Sequence, residues 1–470
     1  MSRIIVVSNR TPGKGPAAGG LAVALRDTLA AREGFWFGWS GRLVDTPAAE
    51  AKFEDIDGIA VAQIDLTRED HHAYYAGFSN SILWPSFHLR LDLATIEAHW
   101  YEGYRRVNTQ FARALLPLLK PDDIVWVHDY HLIPLASELR NLGARNRIGF
   151  YLHIPFPTTD ALYAIPHHQE LMRDLSRYDL VGMQANRDVA AFTEFAEHQA
   201  PSTLAGSPLK SVDFGRTDVA AFPIGSDPDA FARLATSPAA IKMIKRMERA
   251  LGEQELILGV DRLDYSKGLP QRVEAYEKLL LNDTRFRRQV HMLQVAPPSR
   301  DTIKEYKQTS DELDAICGRV MGRFAEPDWQ PLTYVKRAYG QPSLAGLYRL
   351  ARVGLVTPLR DGMNLVAHEY VGAQDPENPG VLVLSRFAGA AEIFEDAILV
   401  NPFDTDETAE ALRMALDMPL KQRQRRWQSL MEAARRHNVE NWSKSFLDRL
   451  APASTAGTGT RDILYLASVA

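Results

Sequence analysis

In the stretch 353–374, the apolar run Val353–Val356 is followed by Pro358, a glycine turn and a helical pattern. Such a short apolar run suits a buried parallel strand and cannot form a helix. We predict a positive φ at Gly362, which glycine takes without strain, and an N-cap at Asn364. A strand, a tight turn and a helix start together aim free backbone N–H groups at an anion. An ordinary βα turn without a ligand is the alternative.

The alternation of short apolar runs with helical patterns continues along the chain. Polar or glycine-containing turns close the runs, which is typical of parallel strands joined by helices. Because a single core stops growing beyond about 250–300 residues, a chain of 470 residues predicts more than one domain. We predict an α/β fold with two doubly wound, Rossmann-like parallel-sheet domains and a cleft between them. The predicted strands are 4–7, 124–127, 148–152, 180–183, 256–260, 290–296, 332–335, 353–356 and 381–384.

Turn residues at 222–228 mark the predicted boundary between the two domains. Residues 1–226 are assigned to the first domain and 227–437 to the second, while 438–470 contain a final helix and a small-residue tail. Trp442 and Phe446 give that helix an apolar face, so we expect it to dock back on the first domain. The tail is expected to be mobile.

Composition excludes several classes of partner. The net charge of −5 is mild and spread out, so neither nucleic acid nor an anionic membrane is expected to bind. No stretch approaches the ~20 apolar residues of a membrane span, and the first residues lack a signal-peptide core. A single cysteine, Cys317, rules out an internal disulfide and a cysteine-based zinc site. We expect a cytoplasmic protein.

Two features of the first 30 residues suit a ligand that contains phosphate. Arg10 ends the first predicted strand at the edge where α/β sheets bind ligands, although a solvated arginine fits the same pattern. The Gly19-Gly20 pair immediately precedes a predicted helix that starts near Leu21, as a mobile phosphate-covering loop would. Most glycine pairs are merely flexible, so this signal is weak.

Two aromatic clusters, around Trp39 and Trp84, lie beside turn-forming residues. Aromatic faces pack against the apolar side of a sugar ring, so a carbohydrate subsite is one interpretation. Tyr74 or Tyr75 could supply a hydroxyl group to the same place. Core packing is the other interpretation.

Polar side chains also follow two consecutive predicted strands of the first half. One strand leads into His128-Asp129-Tyr130-His131, and the next leads into His153. Doubly wound sheets bind ligands at these strand ends. The histidine spacing matches no zinc pattern, so a metal site is disfavoured. We interpret Asp129 and His153 as sugar-binding or charge-stabilising residues, with a buried structural role as the alternative.

Arg262 and Lys267 stand on a strand-to-helix turn in the second half. Arginine offers planar bidentate hydrogen bonds and lysine a mobile point charge, so the pair suits a diphosphate. The turn lacks the glycine spacing of a Walker loop, and a solvated surface pair is the alternative. Arg300 follows the next predicted strand. Glu369 lies just beyond the helix start at Asn364, where a carboxylate suits a ribose diol.

These residues imply a ligand cleft between the two predicted domains. One side of it offers Asp129, His153 and aromatic rings, while the other offers a diphosphate-binding pair and a helix N-terminus. That combination predicts transfer of a sugar from a nucleotide diphosphate sugar. No acidic pair at glycosidase spacing is evident, so hydrolysis is disfavoured.

A series of motifs along the chain resembles one enzyme family. Over roughly residues 2–450 the chain resembles the trehalose-6-phosphate synthases, retaining glucosyltransferases with the GT-B fold. The motifs are Ser-Asn-Arg10, Gly19-Gly20-Leu, Trp-Phe-Gly-Trp39-Ser-Gly, Leu-Trp84-Pro, His-Asp129-Tyr-His, His153-Ile-Pro-Phe-Pro, Arg262-Leu-Asp-Tyr-Ser-Lys267-Gly and Arg-Asp361-Gly-Met-Asn-Leu-Val-Ala-His-Glu369.

The resemblance implies transfer of glucose from a nucleotide diphosphate glucose to glucose 6-phosphate, with no metal or cofactor. UDP-glucose is the first expectation for the donor, GDP- and ADP-glucose are alternatives, and a homo-oligomer (dimer or tetramer) is expected. The implied catalytic residues are Asp129, His153, Arg262, Lys267 and Asp361. The implied acceptor-binding residues are Arg10, Trp39, Tyr75, Trp84, Asp129 and Arg300. The implied donor-binding residues are Gly19, Gly20, His153, Arg262, Lys267, Tyr339, Asp361, Gly362, Met363, Asn364, Leu365, Val366, Ala367, His368 and Glu369.

Three positions depart from the family pattern. Ser226 replaces a larger apolar residue, Asp261 stands where relatives can have Glu, and His368 stands where they can have Lys. Three rival functions stay open: a related transferase with another phosphorylated acceptor such as a cyclitol phosphate, a non-catalytic sugar-nucleotide sensor, and a glycogen-phosphorylase-like enzyme. The last would need a pyridoxal-phosphate lysine, and none is identified.

Overall fold

The structure is a computed structural model that describes residues 2–13, 25–26, 28–29, 33–198, 217–300 and 304–451. The Gly19-Gly20 pair, the predicted helix start near Leu21, the polar loop at 202–212 and the tail from 452 lie outside these ranges.

An eight-stranded sheet forms the first half of the described chain. Its strands are β1 (Ile4–Arg10), β2 (Gly34–Leu43), β3 (Lys52–Ile56), β4 (Ile59–Leu66), β5 (Ile124–His128), β6 (Arg147–Tyr151), β7 (Leu180–Met183) and β8 (Asp218–Ala221). They lie in the order β3-β4-β2-β1-β5-β6-β7-β8, and only β3 and β4 pair antiparallel. The sheet contains the four strands predicted in this half. The aromatic cluster around Trp39 forms β2, where Phe35, Phe37 and Trp39 pack in one core and Trp36 in the other.

A six-stranded, all-parallel sheet forms the second half. Its strands are β9 (Glu255–Val260), β10 (Val290–Val295), β11 (Leu332–Val335), β12 (Val353–Val356), β13 (Val381–Ser385) and β14 (Ile398–Val400). They lie in the order β11-β10-β9-β12-β13-β14. The predicted α/β fold with two doubly wound parallel sheets is therefore confirmed.

Each sheet reverses its strand order at one place. In the first sheet β1 lies between β2 and β5, and in the second sheet β9 lies between β10 and β12. Connections on the two sides of such a strand run in opposite directions and leave a crevice at its carboxyl end, where ligands bind. The strand ends singled out by the sequence lie beside these two crevices.

Helices connect the strands, and no helix among the described residues is long and apolar enough to cross a membrane. The helices are α1 (Arg68–His71), α2 (Trp84–Phe87), α3 (Ala98–Leu115), α4 (Leu135–Asn141), α5 (Thr159–Tyr163), α6 (His168–Leu175), α7 (Asn186–His198), α8 (Pro228–Ala235), α9 (Pro238–Leu251), α10 (Leu269–Asn282), α11 (Lys304–Phe324), α12 (Gln341–Leu350), α13 (Leu365–Ala373), α14 (Thr405–Asp417), α15 (Leu420–Arg436) and α16 (Val439–Leu450).

A π-helix, His72–Leu83, joins α1 to α2. Two side chains hydrogen-bond to carbonyl groups five residues earlier: Asn80 Nδ2 donates to Tyr75 at 2.7 Å, and Ser81 Oγ donates to Ala76 at 2.8 Å. These bonds support the wider turn, and π-helical turns frequently occur at functional sites. The π-helix carries Tyr74 and Tyr75 to the carboxyl end of β1, where Tyr74 donates to Asn9 at 2.9 Å.

The last described helix packs on the first sheet. The ring of Phe446 stacks on Trp126 at 4.9 Å, and a Cβ on Gly149 or Gly182 would approach the same ring within 2.8 Å or less. Glycines on β6 and β7 therefore make room for α16. The domain boundary at 226/227 stays a prediction, since the first sheet ends at Ala221 and α8 begins at Pro228.

The chain passes between the two sheets twice within the described ranges, at 222–227 and again at 437–438. These two crossings touch each other. A Cβ on Gly225 would lie 1.7 Å from the carbonyl oxygen of His437, so only glycine fits there.

Candidate active site

The carboxyl ends of the two sheets meet in direct contact. A Cβ on Gly362, in the turn after β12, would lie 2.2 Å from the carbonyl oxygen of His153, which follows β6. In the same turn, Nη2 of Arg360 donates to the carbonyl oxygen of Phe156 at 2.8 Å. The turn singled out first in the sequence thus faces His153 across the cleft.

The close approach explains why residue 362 is glycine, and the predicted positive φ is wrong. Gly362 is absent from the residues with positive φ, whereas Asn364 has a φ of 77°. Backbone proximity to His153 excludes a side chain at Gly362. Asparagine tolerates left-handed backbone angles better than most residues, and in this turn the residue with a positive φ is Asn364.

Asn364 stands at the N-cap position of α13, but its side chain makes no capping hydrogen bond. Instead, Nδ2 donates to Oδ2 of Asp361 at 3.1 Å and to Oδ1 of Asp261 at 3.4 Å. The predicted capping role is therefore corrected. Without a side-chain cap, the first N–H groups of α13 stay available to an anion.

Lys267 and Asp361 form the central ion pair of the second-domain side. Their Nζ and Oδ2 atoms lie 2.5 Å apart, and both side chains are largely buried. Lys267 ends a short 3₁₀ turn after β9, and Asp361 follows β12, so the two central strands bring them together. Arg262 is exposed beside them, with Cζ 6.0 Å from the ring of Trp84.

Asp264 is a fully buried carboxylate behind these cations. Its Oδ1 accepts from the N–H and hydroxyl of Ser266 at 3.0 and 2.9 Å, and Arg300 lies 3.7 Å from its Oδ2. Burial raises the pKa of Asp264, but the cations Arg300, Arg262 and Lys267 together outweigh burial and lower it. The sequence places Asp264 in the motif that runs from Arg262 to Lys267, but it gives no local signal that this carboxylate is buried behind the cations.

Arg300 reaches across the cleft from the loop after β10. Its Nη1 donates to the hydroxyl of Tyr306 at 2.5 Å, and Nη2 donates to that of Tyr130 at 3.2 Å. The guanidinium lies 3.9 Å from the ring of Trp84, a cation–π distance. Sequence reasoning missed Tyr130 and Tyr306 as partners of Arg300. The contact with Tyr130 depends on how the two domains face each other, and Tyr306, six residues after Arg300, lies in none of the motifs singled out.

Asp129 lies at the end of β5 with a φ of 77°. Its Oδ1 accepts from the backbone N–H of His153 at 3.2 Å. Burial raises the pKa of Asp129 to about 6, although hydrogen bonds from backbone N–H groups and the charges of Arg300 and Arg262 oppose the rise. The carboxylate oxygens of Asp129 can accept hydrogen bonds from sugar hydroxyls.

His153 is coupled to a second histidine. Its Nε2 lies 3.0 Å from Nδ1 of His128, so one ring donates and the other accepts. Burial lowers the pKa of His153 to about 3 and that of His128 well below its ordinary value. Both rings are neutral near pH 7, so this pair acts by hydrogen bonding and not by charge. No group of three or more metal-ligating side chains occurs in the described parts of the chain.

A stack of five rings runs between Arg10 and Arg300. We call this stack the ring ladder. Arg10 Cζ lies 5.7 Å from the first ring and Arg300 bonds to the hydroxyl of the last. Successive centroids are 4.9, 5.2, 5.7 and 4.0 Å apart, in the order Trp39, His71, Tyr75, His131 and Tyr130.

The side chain of Arg10 lies over the backbone of Gly41. A Cβ on Gly41, where φ is 90°, would meet the guanidinium at 2.7 Å. Arg10 is otherwise exposed at the end of β1. The ring ladder and Gly41 therefore hold two arginine side chains on one side of the cleft.

The remaining donor-site residues of the sequence analysis lie along α13 and at the start of α12. Oε2 of Glu369 accepts from the hydroxyl of Tyr348 at 3.0 Å, and burial raises the pKa of Glu369 to about 7. Tyr339 precedes α12, with Arg337 Cζ 4.7 Å from its ring. The residues with buried side chains are Met363, Ala367 and His368, while Leu365 and Val366 are partly exposed.

The side chains at the three departures noted in the sequence are buried. Asp261 is buried in an ion pair with Arg272 at 2.7 Å, and the ring of His368 is fully buried against Phe394. Ser226 is buried in the first crossing between the sheets. Their side chains contact protein atoms.

The sequence pattern that defines glycosyltransferase family 20 matches residues 9–452 of the chain. Two similar proteins are the trehalose-6-phosphate synthases of Sinorhizobium fredii and Klebsiella pneumoniae. The first is 47% identical over 97% of this chain and 99% of its own length, and the second is 44% identical over 98% of both.

Solved structures agree with these sequence relatives. The UDP-forming α,α-trehalose-phosphate synthase of Burkholderia xenovorans, in complex with glucose-6-phosphate, has a TM-score of 0.90 and 49% identity over 96% of this chain and 100% of its own. A protein of E. coli bound with UDP-2-fluoro glucose has a TM-score of 0.88 and 42% identity over 96% of this chain and 100% of its own.

Proposed function

The chain belongs to glycosyltransferase family 20, and from this we propose that it transfers glucose from UDP-glucose to glucose 6-phosphate, giving α,α-trehalose 6-phosphate and UDP. It is a glycosyltransferase. The observation that carries the proposal is the 49% identity, over 96% of this chain and at a TM-score of 0.90, to a UDP-forming synthase in complex with glucose-6-phosphate. The E. coli structure supports the same donor class.

On the acceptor side, we assign the phosphate of glucose 6-phosphate to Arg10, Tyr75 and Arg300. The ring ladder supports this assignment, because it holds two arginines and a tyrosine hydroxyl along one surface. The faces of Trp39 and Trp84 suit the sugar ring. Asp129, which lies between these residues and His153, is assigned to acceptor hydroxyls near the reacting oxygen.

On the donor side, we assign the diphosphate to Arg262, Lys267 and the N-terminus of α13. The absence of a side-chain cap on α13 supports an anion there. Asp361 and His153 are assigned to the hydroxyls of the donor glucose, and Glu369 to the ribose. Gly19 and Gly20 are assigned to the donor on the family resemblance alone, as are Tyr339, Gly362, Met363, Asn364, Leu365, Val366, Ala367 and His368.

In the proposed mechanism the anomeric carbon gains oxocarbenium character while negative charge builds on the leaving diphosphate. Arg262, Lys267 and the dipole of α13 stabilise that charge, which is a preorganised electrostatic role. The acceptor hydroxyl attacks from the face that the diphosphate leaves, and a diphosphate oxygen takes its proton. The configuration at the anomeric carbon is then retained.

Nucleotide release tests the proposal directly. Purified protein is mixed with glucose 6-phosphate and each of UDP-, GDP- and ADP-glucose, and the disaccharide is identified by NMR. Release that depends on glucose 6-phosphate, with an α,α-1,1-linked product, is expected with UDP-glucose. Donor binding without release would favour the sensor, and release only with a cyclitol phosphate would favour the altered acceptor.

Assembly and location remain predictions. A homo-oligomer, as a dimer or tetramer, is tested by the molar mass in solution from light scattering. A cytoplasmic location and the lack of nucleic-acid binding rest on composition and charge.

A further inference from the structure

His71 lies inside the proposed acceptor site, although no role has been assigned to it. It ends α1, and its ring lies between Trp39, at 4.9 Å, and Tyr75, at 5.2 Å with an interplanar angle of 26°. The side chain is only half-buried. Two residues of the proposed acceptor site thus fix the ring of a side chain that stays partly exposed.

The ring nitrogens of His71 make no hydrogen bond to another described residue. The groups that face the ring are Arg10 from β1, Trp39 from β2, and His72 and Tyr75 from the π-helix. Burial, then His72 and Arg10, lower the pKa of His71, so the ring is neutral near pH 7. Among the residues that the structure describes, no carboxylate contributes to this shift of the His71 pKa.

We propose that the imidazole of His71 is a further ligand of the acceptor's phosphate, beside Arg10 and Tyr75. The inference rests on the proposed function. A phosphate monoester carries a charge of about −1.5 to −2 at pH 7 and three strong acceptor oxygens. One neutral imidazole N–H donates to such an oxygen, and a protonated ring forms a stronger, charge-assisted bond.

Phosphate binding then changes the charge of His71. The positive charge of Arg10 disfavours protonation of the ring, and a phosphate beside both groups reverses that field. Binding of glucose 6-phosphate near pH 7 is therefore accompanied by proton uptake at His71. Binding of glucose, which lacks the phosphate, is not.

His71→Phe tests the inference, because phenylalanine keeps the ring between Trp39 and Tyr75 but removes both nitrogens. We expect KM for glucose 6-phosphate to rise about tenfold, the effect of losing one hydrogen bond to a charged group. KM for UDP-glucose and kcat should stay within about twofold. The matched control is His99→Phe, since His99 is exposed and its ring lies near Trp100, outside the ring ladder.

Proton uptake gives a readout that a packing role would not change. Calorimetric titration with glucose 6-phosphate in two buffers of different ionisation enthalpy measures it at pH 7.5. We expect less uptake in His71→Phe than in the wild type and the same uptake in His99→Phe. If the variant does not fold, NMR of the wild-type His71 ring with and without glucose 6-phosphate answers the question, because a raised pKa is expected in the complex.

The failures of the inference and of the proposed function are distinguishable. If the wild type releases no nucleotide with glucose 6-phosphate, the proposed function is wrong. If it does, but His71→Phe matches the wild type in KM and proton uptake, or the NMR titration of His71 does not shift, then the role of His71 is wrong.

Discussion

The Nζ atom of Lys267 lies 2.5 Å from Oδ2 of Asp361, so a cation assigned to the donor's diphosphate is paired with a carboxylate assigned to the donor's sugar. Each group neutralises the other at the place where both are proposed to bind one ligand. A diphosphate that binds Lys267 therefore competes with Asp361 for the same ammonium group.

This competition predicts opposite effects of Asp361→Asn on product and substrate. UDP, which has no glucose, should bind several-fold more tightly, because Lys267 loses its anionic partner. Turnover of UDP-glucose should fall at least about tenfold, since charged hydrogen bonds to sugar hydroxyls are lost. Calorimetry with UDP and steady-state rates measure the two effects. Asp375→Asn, which removes a carboxylate from the ion pair with Arg349, is the control. Weaker UDP binding in Asp361→Asn than in the wild type would contradict the competition.

Arg262 gives the most direct test of diphosphate stabilisation. Arg262→Ala should cost about 2–4 kcal/mol of transition-state stabilisation, the range for one preorganised donor. The measurement is kcat/KM for UDP-glucose. Arg249→Ala changes an arginine that is also exposed, on α9, and should leave kcat/KM unchanged. Normal turnover and donor affinity in Arg262→Ala would contradict the assignment of Arg262 to the diphosphate.

Glu369 predicts a pH dependence of donor binding. Since burial raises its pKa to about 7, the carboxylate that accepts from the ribose is present above pH 7 and lost below it. KM for UDP-glucose should therefore fall as pH rises from 6 to 8, and Glu369→Gln should flatten the profile. The diphosphate of UDP-glucose does not itself titrate in this range.

Tyr348 offers a second test of the same carboxyl group. Its hydroxyl stabilises the charged form of Glu369, so Tyr348→Phe should raise the pKa of Glu369 and shift the KM profile to higher pH. The same titration series of KM for UDP-glucose measures the shift. A profile that keeps its midpoint would mean that another group controls donor binding.

Tyr306 should act on the acceptor through Arg300. Tyr306→Phe removes the hydroxyl that accepts from Nη1 of Arg300, so the guanidinium loses one of its two hydrogen bonds. We expect KM for glucose 6-phosphate to rise about three- to tenfold with little change in KM for UDP-glucose, an effect of about one hydrogen bond. Tyr276→Phe removes a buried hydroxyl bonded to Pro331 and is the matched control for stability. If KM for glucose 6-phosphate is the same in both variants, Tyr306 does not position Arg300 for the acceptor.

Gly362 should tolerate no side chain. Gly362→Ala would place a Cβ 2.2 Å from the carbonyl oxygen of His153, so the two strand ends must separate. We expect transfer to fall by about 100-fold or more, because catalytic groups displaced by about 1 Å lose this much. Gly322→Ala, in an exposed turn of α11 with nothing within 4 Å, should instead raise the melting temperature slightly. Retained activity in Gly362→Ala would show that the strand ends can shift without consequence.

The sequence predicts the elements that are determined locally. Buried parallel strands such as Val353–Val356 are continuous apolar runs, and the residues after them must lie at the sheet edge. The strand β3 was not predicted, because four of its five residues are exposed and show no alternation. The strand β2 was not predicted either. Its aromatic residues were interpreted as a cluster around Trp39, because such residues also suit a sugar site.

The contacts between distant parts of the chain were not predictable from local patterns. Arg300 and Tyr130 are 170 residues apart in sequence, and Tyr306 and Asp264 are 42 apart. The first bond depends on how the two sheets face each other, and the second depends on how α11 packs beside the turn after β9. No single turn or helix determines either arrangement. The contact between Gly362 and His153 was missed for the same reason. The sequence indicated a turn that depends on glycine, but not that the backbone of His153 lies against it.

The touching crossings at Gly225 and His437 limit how the two halves can move. Because the two described connections between the sheets lie side by side, changes of φ and ψ in these few residues turn one half against the other. We therefore predict that the cleft opens by rotation at this place. A distance between spin labels on β3 and α14, measured with and without substrates, tests the prediction.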